Sequence, residues 1–192
     1  MGAAVDCELI RSGFFGQPDN TITTLGFFIA GGWLLRRPNM KWVGVGLVAT
    51  GAGSLVFHGP MPSWGEWAHD VTLAWLILLV GGLGTRWERW SRLPGLAVLA
   101  ALFAILPLTA DPVAIALAVI VVASIVLRRE GRRTLAPLAL LGAVAILGRL
   151  GATDWPLCDP TSVWQLHGLW HIGAAVAVAW WAVTATDRPT DL

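Results

Sequence analysis

Apolar residues run along this chain in seven stretches that approach the roughly 20 residues needed to cross a bilayer. They are Asn20 to Leu35, Trp42 to His58, Trp64 to Leu83, Leu93 to Leu108, Pro112 to Leu127, Leu135 to Leu150 and Val163 to Val183. They predict an all-α, polytopic membrane protein built as a seven-helix bundle. Several stretches are short, and their glycine and alanine content suits close helix contact. The Arg-rich or Pro-containing connectors leave no room for a soluble domain, so residues 1–192 read as one transmembrane domain without repeats.

Helix-start signals place particular side chains at particular depths. Ser63-Trp64-Gly65-Glu66 has the Ser-x-x-Glu form of a capping box, which predicts that the third helix begins there with Asp70 nearly two turns inside it. Ser162-Val163-Trp164-Gln165 has the related Ser-x-x-Gln form, and Asp159-Pro160 offers an alternative start for the last helix. Either start places His167 and His171 in the outer half of the seventh span. Gly59-Pro60 ends the second span directly after His58.

Composition supports a bilayer as solvent: 56% of residues are hydrophobic, 13% are charged, and mean hydropathy is +0.67. Residues Met1 to Phe14 lack the basic n-region, apolar run and cleavage site of a secretory signal. The first span is therefore expected to direct insertion itself. With the N-terminus outside, the inner loops collect Arg36, Arg37, Lys41, Arg86, Arg89, Arg92, Arg128, Arg129, Arg132, Arg133 and Arg188, eleven of the thirteen basic residues. That asymmetry predicts an N-out, C-in topology. A formal net charge of +1, without basic clusters interleaved with aromatics, argues against nucleic acid as a partner. No protein partner is implied either.

His167 and His171 are four residues apart, so on a helix both rings project from one face. Such a pair can be a packed, hydrogen-bonded pair or part of a metal site. Topology favours the metal reading, because the second helix ends at the outer side, where the seventh begins, and brings His58 to the same depth. Three histidines with an open fourth position are the ligand set of catalytic zinc. Asp70 shares this outer stratum; an ionisable side chain within a span is a functional candidate by default, although it would also suit the positive end of its helix. Ser54 lies one turn before His58, where its hydroxyl either serves catalysis or simply packs and bonds the backbone. His69 neighbours Asp70 but points about 100° away around the helix, which reads as an interfacial residue more than as a fourth ligand. The two cysteines, Cys7 and Cys158, form no Cys-x-x-Cys pair, and they can join in a disulfide if both face an oxidising compartment.

Several ordered motifs carry a resemblance. Cys7-Glu8, Gln17-Pro18-Asp19-Asn20-Thr21-Ile22-Thr23-Thr24-Leu25, Gly53-Ser54-Leu55-Val56-Phe57-His58, Asp70 and His167-Gly168-Leu169-Trp170-His171 together resemble the alkaline ceramidase family. That family lies within a superfamily of seven-helix membrane hydrolases that also includes the adiponectin and progestin receptors. The resemblance implies zinc held by His58, His167 and His171, with Asp70 and Ser54 acting in catalysis, and a disulfide between Cys7 and Cys158. Family ceramidases also carry an acidic calcium cluster near the N-terminus. Here Glu8 matches one ligand, but Gln17 stands at a glutamate position, and Val5, Asp6 and Ile10 do not reproduce the others. The likeness therefore does not extend to a complete calcium site.

The function expected from these residues is zinc-dependent hydrolysis of a ceramide-like N-acyl lipid, with Asp70 as proton acceptor and Ser54 as hydrogen-bond donor to the oxyanion. A receptor or scaffold with structural zinc uses the same ligands and is the alternative. A retinal protein is excluded because Lys41, the one lysine, lies in a loop. Alanine-, leucine- and arginine-rich usage points to a bacterial inner membrane, with the zinc site toward the outer side.

Overall fold

The computed structural model describes residues 6–128 and 132–186, which contain helices and no strand. In chain order the helices are α1 (Pro18–Thr23), α2 (Leu25–Leu35), α3 (Lys41–His58), α4 (Gly65–Gly82), α5 (Glu88–Ser91), α6 (Leu93–Ile105), α7 (Ala110–Leu127), α8 (Arg132–Leu150) and α9 (Leu166–Thr186). Each of the seven apolar stretches holds a helix. Among the described residues, four helical segments are long and apolar enough to cross a membrane: Pro38–His58, Pro107–Leu127, Arg133–Leu150 and Leu166–Thr186.

Helix boundaries differ from the expected ones where side chains found other partners. The first stretch is split at Thr24, whose N–H bonds back to the Thr21 carbonyl at 3.3 Å and tightens the turn between α1 and α2. No Ser63 capping box forms, since α4 begins after Trp64 without a side-chain cap. Before α9 the Gln165 amide donates to the carbonyls of Ser162 and Asp159, at 2.8 and 3.1 Å, while the Ser162 hydroxyl accepts the Trp164 N–H. Ser162 and Gln165 thus build a turn ahead of the helix, which begins at Leu166 and leaves His167 in its first turn.

The helix α3 packs between α2 and α4, and α9 packs against α8, α2 and α1. Small residues permit these approaches. A methyl group on Gly31 of α2 would stand 2.8 Å from the Gly44 carbonyl of α3, so the two backbones nearly touch. Gly53 does the same toward α4, where an added methyl would meet Thr72 and the Ala68 carbonyl. One apolar cluster, including Phe27, Leu34, Leu47 and Trp181, fills the space between α2, α3 and α9; another, with Val71, Trp75, Leu99 and Phe103, joins α4 to α6. The window of greatest hydropathy is 50% buried in α3 and α9 but 17% buried in α7 and α8. The first two are thus central, and the last two present apolar side chains such as Ile115, Val119 and Ile146 outward.

The segment preceding α1 crosses one end of the bundle. Leu9 N–H bonds the Pro160 carbonyl, Gly16 N–H the Gly59 carbonyl and Gln17 N–H the His58 carbonyl, at 3.1, 2.9 and 2.8 Å. A disulfide between Cys7 and Cys158 fastens it to the α8–α9 connector. That end also gathers the C-terminus of α3 and the N-termini of α4 and α9.

Candidate metal centre

At this end three histidines converge. His58 closes α3, while His167 and His171 lie on successive turns of α9. One ligand atom from each falls within 4.8 Å of the others, and the ring centroids are 4.7 to 5.2 Å apart. His58 and His171 are buried, and His167 is half-buried.

The outer nitrogen of each ring has its own partner. His58 Nδ1 lies 2.7 Å from Gln17 Oε1; because Gln17 Nε2 donates to the Glu8 carbonyl, the amide oxygen faces the ring and accepts from Nδ1–H. His171 Nδ1 lies 3.2 Å from the Asn20 carbonyl, which can only accept, with the Thr23 hydroxyl equally near. His167 Nδ1 lies 3.2 Å from Asp6 Oδ1, an oxygen that accepts from Nδ1–H when the carboxyl is ionised. Protonation at Nδ1 in all three rings leaves a lone pair on every Nε2. All three Nε2 atoms are buried without a hydrogen-bond partner.

Buried polar atoms without partners are uncommon because each costs its desolvation. Three on the same kind of atom, in one cluster, with opposite ring edges anchored, form a donor set that fits a divalent metal ion. The buried histidine group can therefore hold a metal. Its donor chemistry, three imidazoles with no thiolate, suits zinc, copper or nickel among common ions.

The other candidate residues fall around this group. The Ser54 hydroxyl, one turn before His58 on α3, is buried and also lacks a partner. Asp70 is half-buried on α4, and its Oδ1 lies 3.0 Å from His69 Nδ1, closer than the angular spacing of adjacent helical residues suggested. His69 stacks on Phe57, with 5.0 Å between centroids, and its ring edge faces His58 at 6.1 Å. It is therefore packed against the site's wall. It does not belong to the convergent group. Both carboxylate oxygens of Glu8 accept backbone N–H groups at the start of α1, from Asp19 at 2.8 Å and Asn20 at 2.9 Å. Glu8 thus acts as a distant helix cap. Burial pushes its carboxyl upward from the ordinary range, and the two N–H bonds pull the other way.

Sequence reasoning missed Asp6, Gln17, Asn20 and Thr23 as partners of the histidines. Asp6 reaches His167 as above and His58 Nδ1 at 3.9 Å, with its Oδ2 buried and without a hydrogen-bond partner. Burial raises the Asp6 carboxyl above the usual carboxylate range, against the lowering pull of His167. The available signal was adjacency: Asp6 precedes Cys7, and a bond to Cys158 brings it to the N-terminal end of α9. No protein-family model, curated protein or solved structure matches this chain.

Proposed function

We propose that the chain is an intramembrane zinc amidase that hydrolyses ceramide-like N-acyl lipids to a fatty acid and a sphingoid-type amine. The observation that carries this reading is the set of three buried, unpartnered Nε2 atoms, with an unpartnered serine hydroxyl one turn away. The proposal includes seven spans, formed by α1 with α2, α3, α4, α6, α7, α8 and α9, in an N-out, C-in orientation. It also places the protein in a bacterial inner membrane with the metal end outward.

Zinc on three histidines would supply a Lewis acid and lower the pKa of a bound water toward neutrality. The chain's own residues carry the rest. Asp70 accepts a proton from the attacking water and later delivers it to the leaving amine. The Ser54 hydroxyl, which has no partner in the protein, donates to the amide oxygen as negative charge develops there. Gln17, Asp6 and Asn20 hold the histidine rings in one tautomer and orientation, the usual contribution of a metal site's outer partners. The membrane lends the acyl chain its solvent, so the substrate enters laterally from the outer leaflet.

The receptor or scaffold reading shares the histidines and differs in needing no proton transfer. One experiment separates them: metal analysis of purified protein, together with release of fatty acid from a panel of short- and long-chain ceramides and other N-acyl lipids. Zinc near one equivalent with turnover supports the amidase. Zinc without turnover on any member of the panel supports the receptor or scaffold.

A further inference from the structure

His69 has no place among the metal donors, yet it contacts the proposed proton acceptor. Its Nδ1 lies 3.0 Å from Oδ1 of Asp70, and among the described residues Asp70 has no other hydrogen-bond partner. Neighbouring positions on a helix point about 100° apart, so the backbone of α4 does not by itself bring these two side chains together. The ring of His69 has to be held there.

Contacts with α3 hold it. One face lies on the Phe57 ring, with 5.0 Å between centroids and 30° between planes. Phe57 in turn meets His58 edge to face at 4.9 Å, and His69 stands in a similar relation to His58 at 6.1 Å. The backbones are equally close: a methyl group on Gly53 would stand 3.1 Å from the His69 Cα and 2.9 Å from the Ala68 carbonyl. Glycine at position 53 therefore lets α4 meet α3 at the level of His69. His69 is thereby fixed against the part of α3 that carries Ser54 and His58.

The direction of the hydrogen bond follows from the chemistry of the pair. As the base of the proposed reaction Asp70 is ionised, and a carboxylate only accepts, so the Nδ1–H of His69 donates to Oδ1. The second oxygen of Asp70 has no partner among the described residues and stays open to a proton. Resting on the amidase reading, we propose that His69 is a positioning residue for Asp70: it holds one carboxylate oxygen and so presents the other to the attacking water. The water's O–H bond breaks as its oxygen joins the amide carbon. The proton rests on the free Asp70 oxygen and passes to the leaving nitrogen as the C–N bond breaks. His69 keeps its own proton throughout and acts only through Asp70.

The test measures kcat and KM on an N-acyl lipid, with zinc content and Tm, in full-length His69→Leu and His69→Asn proteins. Leucine keeps apolar bulk against Phe57 but has no donor, whereas asparagine carries an amide nitrogen near the place of Nδ1. A displaced catalytic group can lose about 100-fold in rate, so His69→Leu should lose about 10- to 100-fold in kcat with KM within about 2-fold and zinc retained, and His69→Asn should return to within about 5-fold of wild type. In an Asp70→Asn background His69→Leu should change kcat by less than about 2-fold, since nothing is left to position. Equal kcat in wild type and folded His69→Leu, no recovery in His69→Asn, or an undiminished loss in the Asp70→Asn background would each overturn the proposal and leave the amidase standing. A zinc-loaded wild type that turns over no N-acyl lipid would overturn the amidase reading, and the role of His69 falls with it. If neither His69 variant folds, nitrogen NMR of the wild type decides: a His69 ring protonated at Nδ1 and shifted by Asp70→Asn is expected, and a ring unchanged by Asp70→Asn would overturn the pairing.

Discussion

His167 Nδ1 lies 3.2 Å from Oδ1 of Asp6, a residue that immediately precedes the disulfide-bonded Cys7. The ring of an α9 histidine is thus oriented by a carboxylate delivered from the other end of the chain. Removing the partner of a metal-binding histidine typically costs about 10- to 100-fold in metal affinity. Asp6→Ala should weaken zinc binding in that range by competition with a chelator, and Asp6→Asn, which keeps an acceptor oxygen, should lose less. Equal affinity in wild type and Asp6→Ala would remove Asp6 from the site.

The metal prediction rests on which histidines offer an unpartnered Nε2. His58→Ala, His167→Ala and His171→Ala should each abolish stoichiometric metal measured by plasma mass spectrometry, whereas His69→Ala should retain it. Chelation of the wild type should lower its Tm, because an ion bound only to the folded chain stabilises it by mass action. Metal loss in the His69 variant equal to that of the others would redraw the ligand set.

Catalysis makes different demands from binding. Asp70→Asn should keep its metal and lose about 100-fold or more in turnover of N-acyl lipid, the usual reach of general acid and base catalysis. Ser54→Ala should cost about 10- to 1000-fold with unchanged metal content if the hydroxyl meets the oxyanion. Full activity of Asp70→Asn would move proton transfer to another carboxylate, and Asp6, buried beside His167 and His58, is then the nearest candidate.

Joining Cys7 to Cys158 closes a loop with a sequence separation of 151, worth up to about 5 kcal/mol in the chain-entropy model. Reduction in non-denaturing detergent should therefore lower Tm. It should also weaken metal binding, since Asp6 and the Gln17 segment lose their tether to the α8–α9 connector. A reduced protein with unaltered Tm and metal affinity would show that backbone bonds alone hold the segment.

The proposed orientation rests on the distribution of basic residues between the connectors. A reporter fused after α9 that is active only in the cytoplasm, with one fused after α8 active only outside, is the expected pattern for N-out, C-in; the reverse pattern would invert the proposed orientation.

Much of the site was legible because helical spacing is a local property. The four-position spacing of His167 and His171, and a Gly-Pro stop after His58, fix which side chains share a face and a depth without knowledge of the rest of the fold. The helix positions were equally legible, since apolar runs of this length have few alternatives. The capping boxes were not, because Ser63 and Ser162 sit where loop geometry decides their partners, and Gln165 found two carbonyls ahead of its helix. Nor did spacing reveal Gln17 as the partner of His58, a contact across 41 positions. Glu8 matched a calcium ligand by alignment of motifs, yet its carboxylate caps α1. Outer partners of this kind are set by tertiary packing, on which a one-dimensional pattern is silent.

The order in which the ligands leave the ribosome has its own consequence. His58 arrives with α3, but His167 and His171 come only with α9, after α4 to α8 have been made. A nascent chain held at α8 offers a metal one imidazole from this group, which is too few to hold it against cellular buffers. The complete donor set therefore exists only once α9 has docked beside α3, so acquisition of the ion would report that docking, and chains truncated or stalled before α9 would remain metal-free.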